Sequence, residues 1–522
     1  MAVPGFGTAI IVANGCAIPA RHGIVRHMNA HDHLRDAIDR QMLRLRQRVP
    51  VDRASAIRAL LRVIDQLPPS RGTNPLPDLI SGHRRANLGG NRALHLCLAE
   101  SSDRQNIGDI DQWAIQFLAE CNHLAEAELV LTHCETGFMR VLDNDSGSFN
   151  SWIATKRLPT SWRERVDIDW WAHSLASSNE SDPMAYQLGY PPDASLGGCT
   201  VETYRRVLGW LQEQVTEDQH HARSESETIS EIAADLAVDP ETIKMALASF
   251  TVDNENAAYH AAVPGVAAAP IVRIAPDRIA LSRHGLRSEP LLFLTREIRR
   301  RDAQEYHNSA YLRETVFRND LYALFQDKRF VTSTGRIQLR RTGGEVRTDI
   351  DAAVFDRKTG TLGLFELKSQ DPFARSTAEL TRQRDNFLFA NRQISGTLDW
   401  IKRHGPDEIV ARIDYRSAKT FRANKVYPFV LGRFLAHFND GAEPDRRAAW
   451  GTGPQLLRLL EAQPMRPTDA NPIASLFTRL SKDPPPGITL PDEHRVIDLG
   501  DTRLTVYPSY SAYQASTKPG VE

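Results

Sequence analysis

The segment that most constrains this chain is VRTDIDAAVFDRKTGTLGLFELKS, Val346 to Ser369. Its two apolar stretches flank Asp356-Arg357-Lys358-Thr359-Gly360, which has the make-up of a tight turn with Gly360 free to take positive φ. The pattern predicts two strands, about Val346–Phe355 and Leu362–Ser369, joined as a hairpin. Side chains alternate faces along a strand. Asp349 and Asp351 therefore share one face of the first strand, and Glu366 and Lys368 share one face of the second. Phe365 and Leu367 point the other way, into apolar packing.

Pairing of such strands lets the Asp351 and Glu366 carboxylates meet, with the Lys368 ammonium beside them. Two acids and a lysine converging at the ends of buried strands are costly without compensation. A divalent cation supplies it, and carboxylate oxygens are the ligands that Mg²⁺ prefers. A cation held this way can orient a water, lower its pKa and neutralise a phosphate. The lysine can stabilise the nucleophile or the pentavalent transition state. The chemistry expected is that of a metal-dependent phosphodiesterase using Mg²⁺, with Mn²⁺ as an alternative.

Asp351, fourteen intervening residues and then Glu366-Leu367-Lys368 resemble the PD-(D/E)xK nuclease superfamily, the restriction-endonuclease-like fold. The proline of that name is absent. The text TDIDAAVFD…LFELKS looks closest to the NERD, Mrr-like and RecB-like branches. The resemblance spans roughly Ala303 to His437. It implies that Asp351 is the principal metal-binding aspartate, Glu366 the second acid, Lys368 the catalytic lysine and Asp349 a weaker preceding acid. Upstream, Tyr311–Phe325 reads as a helix with a buried stripe of Phe317, Leu321, Leu324 and Phe325. Glu314 projects on or beside that stripe, where family members carry a glutamate that completes the metal site. Downstream, Thr377–Asn391 reads as a helix bearing Gln383 and Phe387. The RecB-like branch carries a Gln-x-x-x-Tyr pattern there. Phe387 has no hydroxyl, which leaves Gln383 to orient a water or the phosphate backbone. DNA is the substrate the resemblance implies. An RNA-cleaving enzyme, and a catalytically inactive nuclease fold kept for DNA binding or assembly, fit the same residues.

Ile229–Phe250, ISEIAADLAVDPETIKMALASF, reads as a helical pair with Asp239 as N-cap and Pro240 in the first turn of the second helix. It resembles the text of helix-turn-helix proteins, with Ala237 where the turn glycine usually stands. The second helix offers a single basic residue, Lys244, to nucleic acid, and base reading calls for Arg, Asn, Gln or Lys on the exposed face.

The rest of the chain bounds these readings. At 522 residues it is long enough for two to four domains. Lys+Arg of 64 against Asp+Glu of 65 excludes a uniformly basic nucleic-acid coat, though not a local basic face. Arg336 and Arg340 share such a face if Ile337 and Leu339 pack inward, and they are candidates for phosphate contact. No stretch reaches the roughly 18 apolar residues of a membrane helix. The short run Ala9–Ala13 lacks a basic lead, so no export signal is read. Cys16, Cys97, Cys121, Cys134 and Cys199 are an odd, widely spaced set that suits free thiols in a reducing cytoplasm. Cys121, His123, His133 and Cys134 do not have a familiar zinc spacing, and Leu129–Leu131 reads as a buried strand. His31-Asp32-His33 reads as a helix start with Asp32 as cap. There is no phosphate-binding loop of the Gly-x-x-x-x-Gly-Lys type.

The architecture expected is multidomain α+β. A mostly helical region occupies 1–213 and a helix-turn-helix or winged-helix-like module 227–300. An α/β restriction-endonuclease-like domain with a central mixed sheet occupies 303–437, and an extension 438–522. By analogy of architecture, such a chain resembles bacterial genome-defence or repair effectors. Homo-oligomers or partner proteins stay open.

Overall fold

Helical spacing of apolar residues dominates the N-terminal third, and among the described residues it forms the helices Arg26–Gln47, Arg53–Asp65, Gly90–Leu98 and Ile110–Glu135. The computed structural model describes residues 26–66, 88–99, 107–135, 139–144, 147–154, 189–215, 222–262, 268–287, 290–369, 377–433, 436, 444–466, 468–483 and 494–516. The run Ala9–Ala13, Cys16 and Pro484-Pro485-Pro486 lie outside these residues. Asp52 caps the second helix by accepting from the Ser55 N–H at 3.1 Å. Leu34, Leu45, Ile57, Leu60, Leu94, Phe117 and Leu124 belong to one buried core. The first described helix begins before His31, so Asp32 is no cap and instead pairs with Arg35 at 3.0 Å. Leu129–Leu131 form no strand; they lie inside the helix Ile110–Glu135.

The same core is closed by a sheet that no local pattern announces. The hairpin Met139–Asp143 and Ser148–Ile153 is extended by Arg503–Tyr507, which runs parallel to Ser148–Ile153, and then by Arg495–Asp498. Arg495 pairs with Glu126 on the fourth helix. On the first helix, Arg44 pairs with Asp501 at 2.9 Å. The strands Arg495–Asp498 and Arg503–Tyr507 thus complete a unit that the N-terminal helices begin.

The second unit is built on a four-stranded sheet and the helices Val201–Gln214, Glu225–Leu236 and Pro240–Phe250. Its strands run in the order Ala222–Ser224, Arg278–Leu281, Ile271–Ala275, Thr251–Val252. Asp239 caps the third helix by accepting from the Thr242 N–H at 3.0 Å. Tyr204, Leu208, Ile232, Ile243, Leu247, Phe250 and Ile279 share its core. Helix Val201–Gln214 therefore packs here, and the boundary expected at residue 213 falls at its end.

The third unit carries the segment Val346–Ser369. Its strands are labelled β1 (Phe330–Thr332), β2 (Ile337–Arg340), β3 (Val346–Ile350), β4 (Ala352–Asp356), β5 (Thr361–Lys368), β6 (Lys425–Gly432) and β7 (Ala449–Thr452). Five of them form a mixed sheet in the order β7-β6-β5-β4-β1, with β5, β6 and β7 parallel and β4 antiparallel to both its neighbours. The turn between β4 and β5 is tight, and Gly360 takes φ +65°. A Cβ at Gly360 would lie 2.5 Å from the Arg422 carbonyl oxygen, a second reason for glycine there. Long helices cover both faces, so β5 is apolar on both sides along most of its length. Phe365 and Leu367 pack with Phe317, Leu321, Phe429, Ile473 and Leu476. Leu362 and Leu364 face the other way, onto Phe355, Trp400 and Ile409. Because β7 is part of this sheet, it continues past the boundary expected at residue 437. Among the described residues, no helix is long and apolar enough to cross a membrane.

Candidate active site

The strand expected to run unbroken from Val346 to Phe355 divides at Asp351. Residues up to Ile350 pair with β2 as a separate two-stranded sheet, and those from Ala352 pair with β5. A break of this kind leaves backbone groups to be satisfied by other means. The Asp351 carbonyl accepts from Arg318 Nε at 2.7 Å. The Ala353 N–H lies 3.3 Å from both the Tyr322 hydroxyl and the Ser333 Oγ. Arg318 and Tyr322 both project from the helix Ala310–Ala323. That helix, held by Phe317 and Leu321 in the core, clamps the break and presents Glu314 near it.

Ala352 is paired with Phe365. Extending the register by one residue sets Asp351 opposite Glu366. Freed from the ladder, the Asp351 side chain takes the place of a ladder acceptor: its Oδ2 accepts the Leu367 N–H at 2.9 Å. Asp351 and Glu366 are both buried. Lys368 Nζ donates to Glu366 Oε1 at 2.5 Å and to Gln393 Oε1 at 2.9 Å. Gln393 Nε2 reaches Asp349 Oδ1 at 3.4 Å. The exposed Phe389 ring lies 5.7 Å from Lys368 Nζ, with Arg392 5.2 Å away.

Arg336 joins the remaining acids. Its guanidinium meets Glu314 Oε2 at 2.8 Å, Asp349 Oδ2 at 3.0 Å and Asp351 Oδ1 at 3.2 Å. Burial, then the Asp351 charge, pushes the Glu366 carboxyl up to about 8. The same two causes raise Glu314 above the ordinary range. Burial alone would lower the Arg336 pKa, but Asp351, Glu314 and Asp349 outweigh it and raise the value. Glu366 and Glu314 thus favour their neutral forms chiefly because they are buried, even with Lys368 and Arg336 beside them.

The fit to a hard divalent cation follows from the donor set. Glu314, Asp349 and Asp351 come from a helix, a strand and a strand break, and all direct oxygens at a single positive group. Oxygen-only donors of this charge are what Mg²⁺ or Mn²⁺ takes. As they stand, the three acids are paired with the guanidinium. Among the described residues, no three His, Cys, Asp or Glu side chains gather closely enough to grip a metal ion.

Arg340 and Lys244 make their contacts outside this cluster. Arg340 donates to the Gly344 carbonyl and to Gln338 within the β2–β3 hairpin, whereas Arg336 meets the acids. Lys244 is exposed on the helix Pro240–Phe250 and pairs with Glu241 at 3.5 Å. Gln383 lies on the backbone of the helix Thr377–His404, but its side chain and that of Phe387 lie outside the described residues. Cys121 and Cys134 are buried in the first core, and burial pushes the Cys134 thiol up to about 12.

Gln393, Arg318 and Tyr322 escaped sequence reasoning. The signal for Gln393 was present: it stands with Ala390, Ile394 and Thr397 on the buried stripe of its helix, where an uncharged polar residue needs a partner. Comparison with protein-family models, with characterised proteins and with solved structures found no match to this chain.

Proposed function

We propose that the chain is a Mg²⁺-dependent endonuclease that hydrolyses DNA phosphodiester bonds, with the site of a PD-(D/E)xK nuclease. The observation that carries this reading is the meeting of Asp351, Glu366 and Lys368 across two antiparallel strands, with a helix glutamate alongside. A second support is the order of elements. Helix Ala310–Ala323 is followed by β1, β4 and β5, then by helix Thr377–His404 and by β6, which runs parallel to β5.

Asp351 and Glu366 would hold the cation, with Glu314 as a further oxygen donor. When bound, the cation would supply a Lewis acid for the phosphate and lower the pKa of a water. Lys368 carries its ammonium at the half-buried end of β5, where it can steady an attacking hydroxide or the charge that builds on the phosphoryl oxygens. Glu366 and Gln393 fix the direction of that ammonium from two sides. Burial of the surrounding sheet lowers the local dielectric and strengthens each of these interactions.

One observation favours a second reading. A guanidinium already balances Glu314, Asp349 and Asp351, as it would in a nuclease-like fold used for nucleic-acid binding alone. Cleavage assays on plasmid DNA, linear DNA and RNA with Mg²⁺, Mn²⁺ or EDTA separate the readings. Metal-dependent DNA cleavage lost in Asp351→Asn and Lys368→Met is the expected result. Equal cleavage by wild type and both variants would sink the assignment. Salt-sensitive binding without turnover would favour the second reading, and turnover of RNA alone would change the substrate.

A further inference from the structure

We infer that Arg336 is the resident cation of this site, and that its guanidinium and a divalent metal ion exclude one another from the same carboxylates. The inference rests on the metal-binding reading above and adds to it a competitor within the chain. Three nitrogens of one side chain engage three acids from three separate elements, at 2.8, 3.0 and 3.2 Å. A divalent ion held by Asp351, Glu366 and Glu314 would need the Asp351 and Glu314 oxygens that the guanidinium engages, and two positive groups cannot share them at contact distance. Among the described residues, with the guanidinium in place, no three such acids gather closely enough to hold a metal ion.

The side chain is free to leave. Arg336 is 44% exposed, and it follows Thr334 and Gly335 just before β2 begins. A Cβ at Gly335 would meet nothing within 4 Å, so the backbone approach is open. An expelled guanidinium at the lip of the site would suit the phosphate oxygens of a nucleic-acid backbone, which it can grip with two parallel hydrogen bonds. Substrate would then draw Arg336 away from the acids and favour cation loading. By linkage, cation would favour substrate by the same factor.

The test uses the full chain and Mn²⁺ as probe, read by calorimetry or by the electron paramagnetic resonance signal of free Mn²⁺. Folding is checked by thermal melting, with Arg336→Gln beside Arg336→Ala in case one variant is poorly folded. Mn²⁺ should bind the variants at least ten-fold more tightly than wild type. Asp351→Asn should lose that binding. A non-cleavable DNA strand should tighten Mn²⁺ binding to wild type by a clearly larger factor than to the Arg336 variants, in which only the direct phosphate–cation contact remains. Binding to wild type that is unchanged or weakened on removal of Arg336, and abolished by Asp351→Asn, would overturn this inference and leave the metal-site reading standing. Absence of Mn²⁺ binding in wild type and variants alike would overturn both.

Discussion

Gln393 accepts from the Lys368 ammonium at 2.9 Å and turns its own amide N–H toward Asp349 at 3.4 Å. One side chain on the helix Thr377–His404 thus ties the β5 lysine to the acid of β3. A hydrogen bond to a charged group contributes about 1.5–3 kcal/mol, so Gln393→Leu should slow DNA cleavage by roughly 10- to 100-fold. Because Gln393 acts through Lys368, the loss should fall on kcat rather than KM, with the far-UV spectrum unchanged. A variant that cleaves as fast as wild type would remove Gln393 from the site.

Glu366 sets a pH dependence whose sign follows from its environment. Burial and the Asp351 charge raise its carboxyl from 4.5 to about 8. In the metal-free fold the group then holds its proton over a range in which the unfolded chain has lost it. The stabilisation is complete below pH 4.5 and is lost as pH rises toward 8. The melting temperature measured in EDTA should fall over that window. Glu366→Gln should flatten the slope, and added Mg²⁺ should raise the melting temperature more at its upper end than at its lower end.

Asp356 is also buried in this hairpin, yet its role differs. Arg329 grips both its oxygens at 2.9 and 2.6 Å, and the Lys358 N–H and Thr359 hydroxyl donate to it at 3.0 and 2.8 Å. Removing one partner of a buried pair costs about 3–5 kcal/mol because the other charge is stranded. Asp356→Ala should therefore lower the urea midpoint sharply, whereas Asp351→Asn should lose cleavage with a much smaller effect on folding. Denaturant melts of the two variants side by side check the contrast.

Ala237 takes the left-handed conformation, φ 50° and ψ 48°, at the end of the helix Glu225–Leu236. Among the described residues it is the sole non-glycine with positive φ. Its N–H and that of Val238 turn back onto the last helical carbonyls, closing the helix before Asp239 opens the next. A Cβ in this conformation costs roughly 1 kcal/mol. Ala237→Gly should stabilise the protein by about that amount, less the extra entropy of glycine in the unfolded chain. A lower melting temperature would show that the strain is relieved elsewhere.

The C-terminal strands should be needed by the N-terminal unit. Ile497, Leu504 and Val506 sit in the same core as Phe117, Leu124 and Phe149. Ending the chain after residue 493 uncovers that core and leaves Glu126 without Arg495. Limited proteolysis should then cut first within residues 26–153, while the fragment holding β1–β7 resists longer.

Local chemistry was enough to read the hairpin around Gly360, the acid and lysine faces of its strands, the helix carrying Glu314 and the cap at Asp239. Each rests on a period of two or 3.6 residues, or on a turn or capping residue, and these act over a few positions. Tertiary structure decided what depends on distant partners. Whether Val346–Phe355 is one strand or two turned on β2 and on Arg318 and Tyr322, which satisfy the backbone where it divides. Arg336 was legible as a basic residue beside a strand, but its seat among Glu314, Asp349 and Asp351 required three elements to converge. Gln393 became a partner of Lys368 only when its helix packed against β3 and β5. The return of Arg503–Tyr507 to Ser148–Ile153 pairs residues more than 300 positions apart, a contact set by shared burial rather than by any local pattern.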